Sequence, residues 1–156
     1  MPSHYKGSQK NKRALDAILA IKRCASSIEM AHARFLKSQK IGLPQFEILD
    51  ALYHLGQLKP MDLAVKLHSS PASITYLVGQ LVKEGYIDRT DSEKDKRSYV
   101  LVLSTAGREK IEVALEQFAQ YNAEMLSTVD VQELQNFTDL AKRLGRLVQG
   151  DRTTKK

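Results

Sequence analysis

Few residues in this chain are of types that make or break bonds, and none is spaced for it. Cys24 is the single cysteine, so an internal disulfide is excluded and a thiolate metal site cannot be built on it alone. His4, His32, His54 and His68 never fall at the close spacing of a helical zinc pair. There is no nucleophile beside a base, no glycine loop for phosphate and no metal cluster, which points away from an enzyme and away from any cofactor. Two polar segments remain. The first carries Ser69, Ser70, Ala72, Ser73, Thr75, Tyr76 and Gln80, groups that hydrogen-bond or make methyl and ring contacts without reacting. The second, residues 88–97, sets Arg89, Lys94, Lys96 and Arg97 against four acids, one of them Asp95.

The elements around these segments follow from hydrophobic period. Leu15, Ile18, Ala25, Ile28, Phe35 and Leu36 recur at helical spacing and predict a long helix from Lys12 to about Lys40, ended by Gly42. Pro44 suits the first turn of a second helix, which Gly56 caps. A short third helix starts near Pro60. Ser70 as N-cap and Pro71 as first residue open a fourth. Ile74, Leu77, Val78, Leu81 and Val82 turn one face of that helix to the core, and Ala72, Ser73, Tyr76, Gln80 and Lys83 occupy the other. After Gly85 the period becomes two. Residues 86–90 and 99–103 read as strands joined by a charged loop, residues 91–98. Ser104-Thr105 caps a fifth helix, and Asp130 with Glu133 forms a capping box for a sixth.

The expected fold is mainly α with a small β-hairpin wing. It is expected as a single domain over 12–150, a winged helix-turn-helix lobe at 43–104 flanked by N- and C-terminal dimerisation helices at 12–40 and 105–150. Those helices are apolar along more surface than so small a lobe can cover, which predicts a homodimer. Residues 1–11 read as a flexible basic arm and 151–156 as a tail. The net charge of +6 favours an anionic partner. Its location is informative: residues 1–40 hold nine Lys/Arg and two acids, whereas residues 41–104 hold seven and eight. The wing region is therefore not basic by composition. No stretch approaches the ~20 apolar residues of a membrane helix, and the polar N-terminus lacks a signal peptide's apolar run. A cytoplasmic protein without membrane association is expected.

Read in order, six segments resemble the MarR (multiple antibiotic resistance regulator) family of winged-helix repressors. They are Leu43-Pro44-Gln45-Phe46-Glu47-Ile48-Leu49, then Leu63-Ala64 with Leu67 and Ser70, then Ile74-Thr75-Tyr76-Leu77-Val78. Glu84-Gly85-Tyr86-Ile87-Asp88-Arg89, Asp95-Lys96-Arg97-Ser98 and Val102-Leu103-Ser104-Thr105-Ala106-Gly107 complete the series. Each is weak alone; their order and spacing make the match specific. The sequence departs from the family at Lys59, where threonine often caps the third helix, and at Gly79-Gln80, where Asp-Arg is usual.

The resemblance implies a transcriptional regulator that reads double-stranded DNA, as a dimer on a pseudo-palindromic operator. The start of the fourth helix would enter the major groove, with Ser69, Ser70, Ala72, Ser73, Thr75 and Tyr76 near base edges or phosphates and Gln80 reading adenine. Ser70 serves first as the helix cap. Arg97 would enter the minor groove, whose negative potential favours arginine, with Asp95 orienting it. Lys94 and Lys96 would meet phosphates, as would Lys66 and Arg89 more weakly. A repressor of this kind is released by a small effector, often an aromatic or phenolic acid. Its identity is not readable; Met30, His32, Arg34, Phe35 and Phe46 lie in the right stretches, though core or surface roles suit each. Two alternatives stand beside this reading. One is a thiol-based redox switch at Cys24, against which an inert buried cysteine is preferred. The other is a winged helix that binds protein instead of DNA.

Overall fold

In the computed structural model, residues 5–92 and 95–150 are described; for residues 92, 95–98 and 149 this is the backbone alone. The order is α1 (Gln9–Ser38), α2 (Leu43–Leu55), α3 (Pro60–Lys66), α4 (Pro71–Lys83), β1 (Ile87–Ser92), β2 (Asp95–Leu103), α5 (Thr105–Met125) and α6 (Val131–Gly150). It is the mainly helical chain with one hairpin that the period changes predict. The chain divides into two compact units, residues 1–118 and 119–156.

In the first unit, local chemistry sets each helix boundary. The Ser8 hydroxyl accepts from the Asn11 N–H at 3.3 Å, so α1 begins at Gln9, three residues before the sequence period becomes visible. The Gly42 N–H donates to Gln45 Oε1 at 3.0 Å and closes the first turn of α2. Lys59 gives α3 no side-chain cap; Pro60, which lacks an N–H, reduces the need for one. Ser70 Oγ accepts from the Ser73 N–H at 3.1 Å and starts α4 as expected. Past its end, Gly85 turns with φ of 77°, a conformation that glycine adopts at no steric cost.

The core draws on every element of this unit. Leu36, Ile48, Leu49, Leu63, Ile74, Val78, Leu81, Ile87, Leu101 and Ile111 are fully buried, each worth roughly 1.5–3 kcal/mol relative to exposure. The hairpin pairs antiparallel from Ile87↔Leu103 to Asp91↔Tyr99, then shifts register so that Ser92 faces Asp95. Much of the expected loop, residues 91–98, is therefore strand. The charged sequence hid it, because its residues show no apolar alternation. A further pairing joins Leu58 to Leu101: the Leu58 N–H donates at 3.2 Å and the Leu101 N–H returns at 2.8 Å.

The start of α5 is fastened to the turn that follows α4. Ser104 Oγ donates to the Gly85 carbonyl at 2.6 Å and accepts from the Gly107 N–H at 2.9 Å. The Ser104 N–H donates to the Tyr86 carbonyl at 3.1 Å. A Cβ at position 107 would collide with that same carbonyl oxygen, so the approach requires glycine.

In the second unit, Asp130 Oδ1 accepts from the Gln132 N–H at 2.7 Å, and the Asp130 N–H returns a bond to Glu133 Oε2 at 3.4 Å. This is the capping box predicted for α6. Along α6, Val131, Phe137, Leu140, Leu147 and Val148 are exposed in the single chain, as are Leu15, Ile18, Ile21 and Met30 along α1. No helix among the described residues is long and apolar enough to cross a membrane.

Candidate nucleic-acid interface

α4 buries Ile74, Val78 and Leu81, and this fixes what its other face presents. Ser70, Ala72, Ser73, Thr75 and Tyr76 are exposed, while Ser69 and Gln80 are half-buried. The hydroxyls of this face are already engaged. Ser70 Oγ and Ser73 Oγ lie 2.9 Å apart, and Thr75 Oγ1 donates to the Pro71 carbonyl at 2.8 Å. Each retains capacity to accept a bond from outside. Tyr76 is 66% exposed, a large apolar ring held in solvent at the centre of the face. Its hydroxyl accepts from Gln80 Nε2 at 2.9 Å. That pair escaped the residue-by-residue reading, although its i, i+4 spacing was a signal.

Gly79 lies beside the pair, and a Cβ there would meet nothing within 4 Å. Packing within the chain therefore does not demand glycine at this position. Lys66, at the end of α3, is exposed. Arg89 is exposed on β1, its guanidinium 5.2 Å from the centre of the Tyr99 ring, a cation–π contact that holds the side chain along the hairpin. The backbone of residues 95–97 runs in β2, which places Asp95, Lys96 and Arg97 at the hairpin tip; their side chains, and Lys94 altogether, lie outside the described residues.

On α2, Glu47 and Asp50 are near enough to repel one another. Glu47 lies above its ordinary pKa, first through burial and then through repulsion from Glu29 and Asp50. The residue as a whole is exposed, so the shielding is partial. Asp50 Oδ1 lies 3.2 Å from His54 Nε2. Among the described residues, no group of three His, Cys, Asp or Glu side chains is placed to hold a metal ion.

Three of the residues in the expected effector stretches converge on Phe118 of α5. Ring centroids lie 4.5 Å from His32, 6.3 Å from Phe35 and 4.8 Å from Phe46. Phe46 is a core residue, and Met30 and Arg34 are exposed. Cys24 is exposed on α1. The preferred expectation of a buried thiol is thus corrected: α1 buries Leu36 alone, because the rest of the helix has too little of this chain packed against it.

The geometry is that of a helix presented on a hairpin-flanked lobe, and comparisons with known proteins agree. The MarR family model matches residues 41–99. An HTH-type transcriptional regulator of Bacillus subtilis, YhbI, is 31% identical over 106 residues, covering 68% of this chain and 69% of that protein. A MarR family transcriptional regulator from Silicibacter pomeroyi has a similar structure, with a TM-score of 0.77 at 25% identity over 96% of this chain and 98% of the other. A MarR variant from E. coli, solved with operator DNA, shares the fold at a TM-score of 0.74 and 20% identity, covering 88% of this chain and 99% of that one. With its ordered motifs, its winged helix-turn-helix lobe and these relatives, the chain belongs to the MarR family of transcriptional regulators.

Proposed function

We propose that the protein binds double-stranded DNA as a homodimer and represses transcription until a small effector releases it. The observation that carries this reading is the outward face of α4. It joins hydroxyls, a methyl, a phenol and an amide on one helix whose opposite face is locked into the core. A major groove about 12 Å wide admits such a helix. The E. coli MarR variant with operator DNA supports the same mode of use. Ser69, Ser70, Ala72, Ser73, Thr75, Tyr76 and Gln80 then face the groove, and Lys66 and Arg89 approach phosphates. At the hairpin tip Arg97 enters the minor groove, Asp95 orients it, and Lys94 and Lys96 meet the backbone.

The domain plan follows from the same picture. Residues 43–104 form the DNA-binding lobe, 12–40 and 105–150 supply dimerisation helices, and the basic N-terminal arm adds long-range attraction. The uncovered apolar residues of α1 and α6 support pairing with a second copy. Two lobes related by a twofold axis would read half-sites about one helical turn apart.

The test is selection of bound sequences from random DNA by the full chain, repeated with aromatic acids and across salt concentrations. A pseudo-palindromic consensus with a steep negative salt dependence is expected. Absence of any preferred sequence from a folded dimer would overturn DNA reading and favour a protein-binding winged helix. Exposure of Cys24 favours one second reading, regulation by thiol oxidation. Unchanged operator binding after organic peroxide, or the same response in Cys24→Ser, would remove it.

A further inference from the structure

We infer that Tyr76 and Gln80 act as one prearranged reader of an adenine edge, with Tyr76 positioning the amide and Gln80 reading the base. The inference rests on the DNA-binding reading of α4 given above.

Gln80 stands on the third turn of α4, well past the helix start where base contacts concentrate. A helical side chain leans toward the N-terminus, over the preceding turn. Here that lean brings Gln80 Nε2 to the Tyr76 hydroxyl at 2.9 Å. The bond carries the amide toward the part of the helix that enters the groove, and it stops the free rotation of a long side chain, lowering the entropy lost on binding.

The hydrogen-bond inventory then selects a base. A glutamine amide has two donors and one acceptor oxygen. One N–H is used on Tyr76, which leaves one donor and the carbonyl oxygen side by side. Adenine presents the complement in the major groove, an N7 acceptor beside an N6 donor. Guanine presents two acceptors and would leave the Gln80 oxygen facing O6. The neighbouring position is Gly79, which adds no side chain beside the pair, and a Cβ there would meet nothing. Tyr76 keeps its own O–H proton free to donate outward while its oxygen accepts from Gln80.

The experiment compares the sequences selected from random DNA by wild type, Tyr76→Phe, Gln80→Ala and Gln80→Glu, together with each protein's affinity for non-specific DNA and its melting temperature. Wild type is expected to favour adenine at one position in each half-site by about tenfold over guanine. Tyr76→Phe keeps the ring and loses the acceptor; it is expected to lower that preference severalfold at an unchanged melting temperature. Gln80→Ala should abolish it. Gln80→Glu offers acceptors only, and the preference should move to cytosine, whose N4 donates.

Identical base profiles in wild type, Tyr76→Phe and Gln80→Ala would overturn the inference while leaving DNA recognition by α4 standing. Loss of the preference in Gln80→Ala but not in Tyr76→Phe would overturn the positioning role of Tyr76. A wild type with no sequence preference would remove the inference together with the reading beneath it.

Discussion

At the residue scale, two glycines separate what packing requires from what it merely permits. At Gly107, Gly107→Ala forces the Tyr86 carbonyl away from α5 and is expected to lower stability by about 1–3 kcal/mol, measured by urea unfolding. At Gly79 the same change meets open space and should stabilise the helix by up to about 1 kcal/mol. If Gly79→Ala also weakens operator binding, the backbone of α4 approaches DNA closely there. Glu47 provides a pH test. Its raised pKa favours the protonated form in the folded chain, so its contribution is complete in acid and lost as pH rises through the raised value. Glu47→Gln should accordingly melt higher than wild type at pH 7, with the gap closing below the ordinary glutamate range. The sequence showed none of this for Glu47, since Glu29 reaches it from another helix. Gly107 was visible only as part of a motif.

Among the elements, α4 was the most legible, because a polar face, an apolar stripe and a Ser-Pro start agree on one helix. Ser70→Ala removes the hydroxyl that accepts from the Ser73 N–H and should cost about 1 kcal/mol, a fall in melting temperature of roughly 2–4 °C. The hairpin was legible in kind but not in extent. Residues 87 and 101, whose side chains are buried, announce strands; residues 91 and 92 do not, since both are polar although their backbone pairs in the hairpin. The Leu58 bridge was invisible, as a single apolar residue between Gln57 and Lys59 has no period. On the DNA-binding reading, Arg97→Ala should weaken operator binding by about tenfold with the melting curve unchanged. Normal binding by that variant would remove the wing assignment.

For the whole molecule, two separate features carry the argument. The charge excess sits in residues 1–40, away in sequence from α4, so on the DNA-binding reading attraction and base reading fall to different parts of the chain. Low salt should therefore raise the association rate more than it sharpens sequence choice. The second feature is the apolar surface of α1 and α6. If a second copy covers it, melting temperature rises with protein concentration, and Phe137→Asp should yield a monomer that no longer retains operator DNA. A concentration-independent melt would deny the homodimer. Amphipathic period foretold these helices and their exposed stripes; whatever covers the stripes leaves no mark on the period of one chain.

The junction of Ser104 and Gly107 with residues 85 and 86 has a mechanical meaning. Two hydrogen bonds and one contact without a side chain tie the first turn of α5 to the turn that ends α4. There is no flexible stem in that linkage to absorb displacement. A tilt of the α5 start would be delivered to α4 as rotation of a stiff lever, with little backlash. On the DNA-binding reading, whatever repositions α5 would thereby change the pitch at which the outward face of α4 meets its groove.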